Sequence, residues 1–184
     1  MRIEISPFES GDIETVVDWN RGTGSEFLSQ WAGTGYSYPL TRDQIWQKMS
    51  RLKEEGSIVR LFRIDADSET GKRMIGTVEL NEMGMPRKSA MVCRFLISPR
   101  ERGMGYGTIA LSSLTDLAFS DYNYKMLRLK VFVYNKPAIR CYEKAGYKIV
   151  GQEIWTNGLS IYEMEIKKKP GNRAFPFWCR ALAE

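Results

Sequence analysis

The 184-residue chain is 43% hydrophobic, carries a formal net charge of +5 and contains no histidine. Its length and hydrophobic content suit one well-packed domain, and the lack of histidine excludes Ser-His-Asp and Cys-His catalysis. Residues 167–184 hold five basic residues and one acidic residue, so most of the charge is C-terminal and does not mark a nucleic-acid-binding core.

The sequence indicates neither a membrane span nor a secretory leader. No apolar run reaches the roughly 18 residues that a span needs, and the first residues lack an apolar signal core. Cys93, Cys141 and Cys179 lie far apart, which favours reduced thiols and predicts no metal site. We expect a cytoplasmic protein with a domain over 1–168 and a basic, aromatic tail over 169–184. The tail is expected to pack on its own domain or on a second subunit, which leaves a homodimer open.

The N-terminal part predicts a strand, two helices and a long connection between them. Alternating apolar residues predict a strand over 1–7, and a helix opens at Ser10. Thr41 is suited to cap the next helix. The connection over 21–39 is rich in aromatic residues, which either shape a substrate pocket or tie the loop to the core. The candidate substrate residues there are Trp31, Tyr36 and Tyr38.

A meander of three strands follows, and it leads into a glycine-rich loop. We expect strands over 57–64 and 73–80 around a polar turn at 65–71, and a third strand over 90–97. The next residues, Arg-Glu-Arg-Gly-Met-Gly-Tyr-Gly-Thr, precede a predicted helix. Glycines remove side chains where backbone N–H groups approach an anion, and the helix N-terminus adds free donors. The loop is therefore a candidate phosphate site.

Spacing excludes two common phosphate-binding motifs at this loop. A Walker loop ends in Gly-Lys-Ser/Thr, but Gly107 is followed by Thr108. The dinucleotide fingerprint needs a third glycine where Thr108 stands. Beyond the loop helix, alternation of apolar and polar residues predicts a strand over 127–133. Asn135 as a cap and Gly146 as a stop then predict a helix over 135–146, and the Asn157-Gly158 turn predicts a hairpin over 149–166.

Two motifs resemble signatures of the GCN5-related N-acetyltransferase (GNAT) superfamily. Residues 102–107 are similar to Arg/Gln-x-x-Gly-x-Gly/Ala, and residues 135–147 are similar to Asn-x-x-Ala/Ser-x-x-x-Tyr-x-Lys-x-Gly-Phe/Tyr. They occur in the family's order, and the resemblance spans roughly 57–168. Residues 27–41 resemble more weakly the branch of ribosomal-protein and small-amine acetyltransferases.

The resemblance implies an α/β (α+β) fold with a mixed, mostly antiparallel sheet and helices on both faces. It implies acetyl-CoA as cofactor and acetyl transfer to a primary amine, of a small molecule or a protein N-terminus, by direct attack in a ternary complex. A non-catalytic CoA-binding module and an RNA-associated protein with a basic tail are the alternatives. We expect no nucleic-acid or membrane partner, and the identity of the acceptor is open.

The family also implies residue roles. Asn135, Ala138, Ile139 and Tyr142 fall on one helix face by spacing, and the resemblance assigns Tyr142 to the thioester sulfur as catalytic donor, although it could simply pack. The implied cofactor-binding residues are Leu96, Ile97, Arg102, Gly103, Met104, Gly105, Tyr106, Gly107, Thr108, Asn135, Ala138 and Tyr142.

The general base is the second expected catalytic role. Glu79 lies in the strand over 73–80, where relatives often carry a carboxylate, and Glu82 is the fallback. The alternatives are a solvated strand glutamate and a water chain without a single base. Nothing near Cys141 marks it as an activated nucleophile, so we reject a covalent route.

Overall fold

The computed structural model describes residues 2–54, 58–68, 71–84, 88–156 and 158–169. The strands are β1 (Arg2–Pro7), β2 (Val59–Ser68), β3 (Gly71–Met83), β4 (Ser89–Ile97), β5 (Met126–Phe132), β6 (Lys148–Ile154) and β7 (Ser160–Lys167). The helices are α1 (Ile13–Asn20), α2 (Ser25–Ala32), α3 (Arg42–Glu54), α4 (Tyr106–Ser120) and α5 (Lys136–Lys144).

The seven strands have the order β1-β2-β3-β4-β5-β7-β6. β4 and β5 pair in parallel, whereas β1–β2, β2–β3, β5–β7 and β6–β7 are antiparallel. This confirms the predicted mixed, mostly antiparallel sheet. The chain forms two compact units, Met1–Asn81 with Val92–Tyr106, and Glu82–Met91 with Gly107–Glu184. The expected boundary at residue 168 stays a prediction.

In the first unit, the connection predicted over 21–39 is wrong in one respect, because it contains α2. Leu28 and Ala32 of this helix are buried in the core with Ile13 and Val16 of α1. The apolar positions therefore follow a helical period, which the aromatic residues and flanking glycines obscured in the sequence. Gly33, with φ +59, follows the helix end.

The predicted turn over 65–71 is also wrong, because β2 continues to Ser68 and β3 begins at Gly71. Asp65 is completely buried in β2, and its carboxylate accepts hydrogen bonds from Nη2 of Arg63 at 2.5 Å and Nε at 2.9 Å. A paired aspartate is tolerated inside a strand, so polarity alone was a poor turn signal here.

In the second unit, the local signals around α5 are confirmed. Asn135 caps the helix by accepting a hydrogen bond from the Ala138 N–H at 3.3 Å, and Gly146 follows its end with φ +94. The β6–β7 hairpin also forms, but Asn157 of its predicted turn and residues 170–184 of the tail lie outside the described residues. Within the described part of the chain, no helix is long and apolar enough to cross a membrane.

Candidate active site

The glycine loop of the first unit connects β4 to α4 and presents its backbone to open space. Gly103 and Gly105 have φ values of +78° and +83°, which favour glycine. A Cβ atom at either position would meet no atom within 4 Å, and Met104 between them is 62% exposed. Since α4 begins at Tyr106, the first N–H groups of the helix have no intrahelical partner. The loop thus offers backbone donors without obstructing side chains.

The base of the loop is held to the strands before it. The Ser98 N–H donates a hydrogen bond to the Ile75 carbonyl of β3 at 2.8 Å. Arg73, also on β3, donates from Nε and Nη2 to the two carboxylate oxygens of Glu101, each at 3.2 Å. Such a fork fixes orientation as well as distance, so the loop is anchored where it leaves β4.

The Arg102 side chain folds back onto the same unit. Its Nε donates to the Ile97 carbonyl at 3.0 Å, and its guanidinium lies 4.7 Å from the centre of the Phe27 ring. Burial lowers the pKa of Arg102. The Arg102 side chain is therefore bound within the protein. The backbone N–H groups of the loop are the more accessible hydrogen-bond donors.

Strand β4 delivers the chain to this loop. Its parallel pairing with β5 runs from Ser89 to Met91 only. Farther along, Leu96 is buried, and a Cβ at Gly76 of β3 would lie 2.6 Å from the Leu96 carbonyl oxygen. The expected binding of acetyl-CoA by the Leu96 and Ile97 backbone stays a prediction.

Glu79 lies at the centre of a buried ion cluster formed by Lys48, Glu79 and Arg94. Its side chain is 1% exposed, so the alternative of a solvated strand glutamate is wrong. Nζ of Lys48 lies 2.7 Å and 2.9 Å from its carboxylate oxygens, and Nη1 of Arg94 lies 2.5 Å from Oε2. The carboxylate is therefore already paired with two cations of its own chain.

Tyr36 is the predicted substrate residue that the structure brings to this cluster. Nζ of Lys48 and Cζ of Arg94 lie 5.3 Å and 5.9 Å from its ring centre. Burial, followed by the charge of Glu79, raises the pKa of its phenol. The hydroxyl thus remains protonated and neutral beside the ion cluster.

The other two candidate substrate residues have different surroundings. Trp31 lies 6.0 Å from Tyr36, ring centre to ring centre, and its Nε1 donates to Oδ1 of Asn20 at 3.0 Å. It packs against the core, as the tying role predicts. Tyr38 is 55% exposed.

Lys48 and Arg94 were missed by the sequence analysis. Arg94 is the charged residue of an otherwise apolar strand over 90–97, which was a usable signal. Lys48 gave no such signal, because a lysine on an amphipathic helix is usually solvated. Its partner Glu79 is 31 residues away, and only the fold brings the two together.

In the second unit, α5 carries the second motif. Ile139 is buried, and Oδ1 of Asn135 is used for capping, so its expected contact with the pantetheine arm stays a prediction. Burial, followed by the influence of Cys141 and Tyr147, raises the pKa of the Tyr142 phenol. Tyr142 is consequently a hydrogen-bond donor at neutral pH.

Two other groups of this motif, Cys141 and Tyr147, are not activated. The Thr108 hydroxyl lies 3.6 Å from Sγ of Cys141, and burial raises the pKa of the thiol. The hydroxyl of Tyr147 lies 3.1 Å from that of Thr115 in a buried pair. Cys141 therefore lacks the thiolate character of a nucleophile, and Tyr147 has a structural role.

Comparison with known proteins agrees with this geometry. A model of the acetyltransferase (GNAT) family matches residues 22–147. Spermidine N(1)-acetyltransferase of Escherichia coli (strain K12) is 26% identical over 159 residues, which cover 85% of this chain and 80% of that protein. A kanamycin resistance protein of Rhizobium radiobacter is 30% identical over 73 residues, covering 40% of this chain and 68% of that protein.

A similar solved structure is spermidine N-acetyltransferase from Vibrio cholerae in complex with CoA and spermine. It superposes with a TM-score of 0.73 at 22% identity and covers 90% of this chain and 95% of that one. The predicted fold is confirmed, and the family match covers most of the chain, including the loop and α5. The chain therefore belongs to the GNAT acetyltransferase family and is an acetyl-CoA-dependent N-acetyltransferase that acts on a primary amine.

Proposed function

We propose that the acceptor is the primary amine of a small molecule, which attacks the acetyl group directly within a ternary complex. Acetyl-CoA supplies the activated acetyl thioester. The small-molecule acceptor is supported by the similarity to a spermidine acetyltransferase, and the cofactor site is supported by the open glycine loop, in which Gly103 and Gly105 adopt positive φ and a Cβ atom would meet no atom within 4 Å. Such backbone donors at a helix N-terminus suit a pyrophosphate.

Each unit contributes its own residues to this proposal. In the loop, the pyrophosphate would be held by backbone N–H groups, and the residues concerned are Arg102, Gly103, Met104, Gly105, Tyr106, Gly107 and Thr108. The backbone of Leu96 and Ile97 would orient the pantetheine arm from β4. In the second unit, Asn135 and Ala138 of α5 stay cofactor-binding candidates through the family resemblance.

Tyr142 would stabilise the departing thiolate by donating a hydrogen bond. A free thiol has a pKa of about 8.5, whereas the pKa of Tyr142 is raised above the ordinary value of 10 by burial. Full proton transfer from the phenol to the thiolate would therefore be uphill. A hydrogen bond to the developing charge stabilises the transition state without that transfer.

Glu79 stays a candidate for the general base, but its surroundings favour a positioning role. An alkyl amine has a pKa of about 10 and must lose a proton before it attacks. Both oxygens of Glu79 already accept hydrogen bonds from Lys48 and Arg94. Because a proton on Glu79 would cancel the negative charge that both cations share, we propose that water removes the proton from the amine and that Glu79 anchors the two cations.

Direct attack is supported by the state of the cysteines within the described residues. Burial raises the pKa of Cys93 to about 11 and also raises that of Cys141. Thiols of this kind are protonated at neutral pH and are poor nucleophiles. An acetylated cysteine is therefore not part of the proposed route.

A cytoplasmic location and a homodimer complete the proposal. The reaction consumes acetyl-CoA, which fits the cytoplasm. Strand β6 is the last in the sheet order and exposes Ile149, Val150 and Ile154, and exposed apolar residues on an edge strand favour association. Light scattering of the purified protein would give the mass, and a monomer at all concentrations would contradict the dimer.

Calorimetric titration with acetyl-CoA tests the function, using Gly105→Glu as the variant. We expect micromolar binding that this variant loses, since it places a charged side chain in the loop at φ +83. Gly22→Glu is the matched control, because Gly22 also has positive φ and open space around it. CoA release on adding amines then reports turnover. Binding without turnover on any amine would indicate a non-catalytic CoA-binding module.

A further inference from the structure

With Lys48 protonated, the ion cluster of Lys48, Glu79 and Arg94 carries a net positive charge, since two cations share one carboxylate. Burial lowers the pKa of Lys48, and the charge of Glu79 works against that lowering. The side chains of Lys48 and Arg94 are 14% and 20% exposed, whereas Glu79 is 1% exposed. Solvent therefore reaches the side chains of Lys48 and Arg94 rather than that of Glu79. A site of this kind attracts anionic groups and disfavours cationic ones.

Arg94 is held in place by an unusual backbone conformation. It has φ +47 within β4, a region that residues other than glycine seldom adopt. Distortions of this kind re-aim a side chain and recur at functional sites. A Cβ on Gly35 would lie 2.3 Å from Nε and Nη2 of Arg94, so a larger residue at position 35 would require the guanidinium to move.

The guanidinium also has an unmet hydrogen bond. Within the described part of the chain, Nε of Arg94 is buried and has no acceptor. Buried donors without partners are rare and call for an acceptor that is absent from the protein itself. Since Nε is buried, its acceptor would be a water molecule that bridges it to an anionic ligand group.

Tyr36 adds an argument against cationic acceptors. An aromatic ring can bind an ammonium group through a cation–π contact. Here Lys48 and Arg94 already lie 5.3 Å and 5.9 Å from the ring centre. An additional ammonium group would have to approach two like charges, so this ring suits the apolar part of a ligand.

We propose that the acceptor is an amine that also carries a carboxylate, and that Lys48 and Arg94 bind this carboxylate. The inference rests on the proposed function and narrows its substrate class. Arg94 lies two residues before Leu96 on β4, whose backbone is assigned above to the cofactor. Glu79 is then a positioning residue that holds both cations. The chain would thus differ in acceptor from the spermidine acetyltransferases it resembles.

Matched acceptors test the proposal, because lysine differs from cadaverine, and ornithine from putrescine, by a carboxylate alone. CoA release and calorimetric binding to the CoA-loaded enzyme are measured for both pairs and for spermidine. We expect kcat/KM to be roughly tenfold to a hundredfold higher for the acid of each pair. A preference for spermidine or the decarboxylated amines would overturn the inference and leave amine acetylation standing. The inference would also be overturned if the enzyme bound acetyl-CoA but neither bound nor acetylated the acids. Failure to bind acetyl-CoA would instead overturn the proposed function itself.

Variants of Arg94 separate carboxylate binding from structural support. Arg94→Gln should lower kcat/KM about tenfold more for the acids than for the decarboxylated amines, while Arg94→Lys should restore much of the preference. Arg63→Gln is the control, because it also breaks a part-buried ion pair, with Asp65, in the same unit. Equal losses on acids and amines in Arg94→Gln would show a merely structural residue.

Discussion

Nη1 of Arg94 on β4 lies 2.5 Å from Oε2 of Glu79 on β3, and Nζ of Lys48 on α3 lies 2.7 Å from the other carboxylate oxygen. Three elements of the first unit thus meet at one buried anion. In the ion cluster, Lys48 and Arg94 share Glu79 as their carboxylate partner. The positions of both cations therefore depend on Glu79. This dependence distinguishes an anchoring carboxylate from a base that must be free to accept a proton.

Replacing Glu79 by Gln should destabilise the protein strongly. The change keeps the shape but leaves two cations facing each other without an anion, and breaking a buried ion pair costs about 3–5 kcal/mol. Urea unfolding measures the free energy of unfolding. Glu4→Gln is the control, since Glu4 pairs with Lys72 at an exposed site. This substitution should lower the free energy of unfolding by less than about 1 kcal/mol. Equal losses in both variants would contradict the anchoring role.

Tyr142→Phe should lower kcat by roughly 100-fold with little change in acetyl-CoA affinity, because it removes a hydrogen bond formed mainly in the transition state. Steady-state kinetics with calorimetry checks both quantities. The matched control is Tyr147→Phe, which loses the buried contact with Thr115. That change should cost about 1 kcal/mol of stability and leave kcat nearly intact. Unchanged kcat in Tyr142→Phe at several pH values would exclude the donor role.

The sequence predicted those parts of the fold whose signals are local. The glycine loop, the Asn135 cap and the alternation in β5 each occupy a few consecutive residues, and each is confirmed. Helix α2 was missed because aromatic residues and glycines masked its apolar period. The ion cluster was missed because it joins residues 31 and 15 positions apart and needs the positive φ of Arg94. Such pairings exist only after folding.

Stability should fall in alkaline solution partly because of Cys93. Burial, with Glu79 as the second cause, raises the pKa of its thiol from 9.0 to about 11. The protonated thiol is therefore favoured in the folded state, and its contribution is complete below pH 9 and is lost as the pH rises through 11. Urea unfolding under reducing conditions should show that the free energy of unfolding declines between pH 8 and pH 11. This decline should be roughly 1–3 kcal/mol smaller in Cys93→Ala than in the unmodified protein. Parallel declines in the two proteins would contradict the assignment.

Arg73→Gln should weaken acetyl-CoA binding, although Arg73 lies on β3 and not in the loop. The change removes the two hydrogen bonds that hold Glu101 at the base of the loop. It also leaves the negative charge of Glu101 unpaired near the expected pyrophosphate site, so looser geometry and repulsion act in the same direction. We expect the Kd to rise roughly threefold to tenfold in calorimetry, and the rise to shrink at high salt.

Lys72→Gln separates this effect from a general change of charge on β3, since Lys72 pairs with Glu4 instead. Both variants lose one positive charge, so a long-range effect on an anionic ligand would be similar in the two. A larger loss of affinity in Arg73→Gln than in Lys72→Gln would therefore come from the contact with Glu101. Equal losses would mean that the Arg73–Glu101 contact does not organise the loop, and that the glycines alone set its conformation.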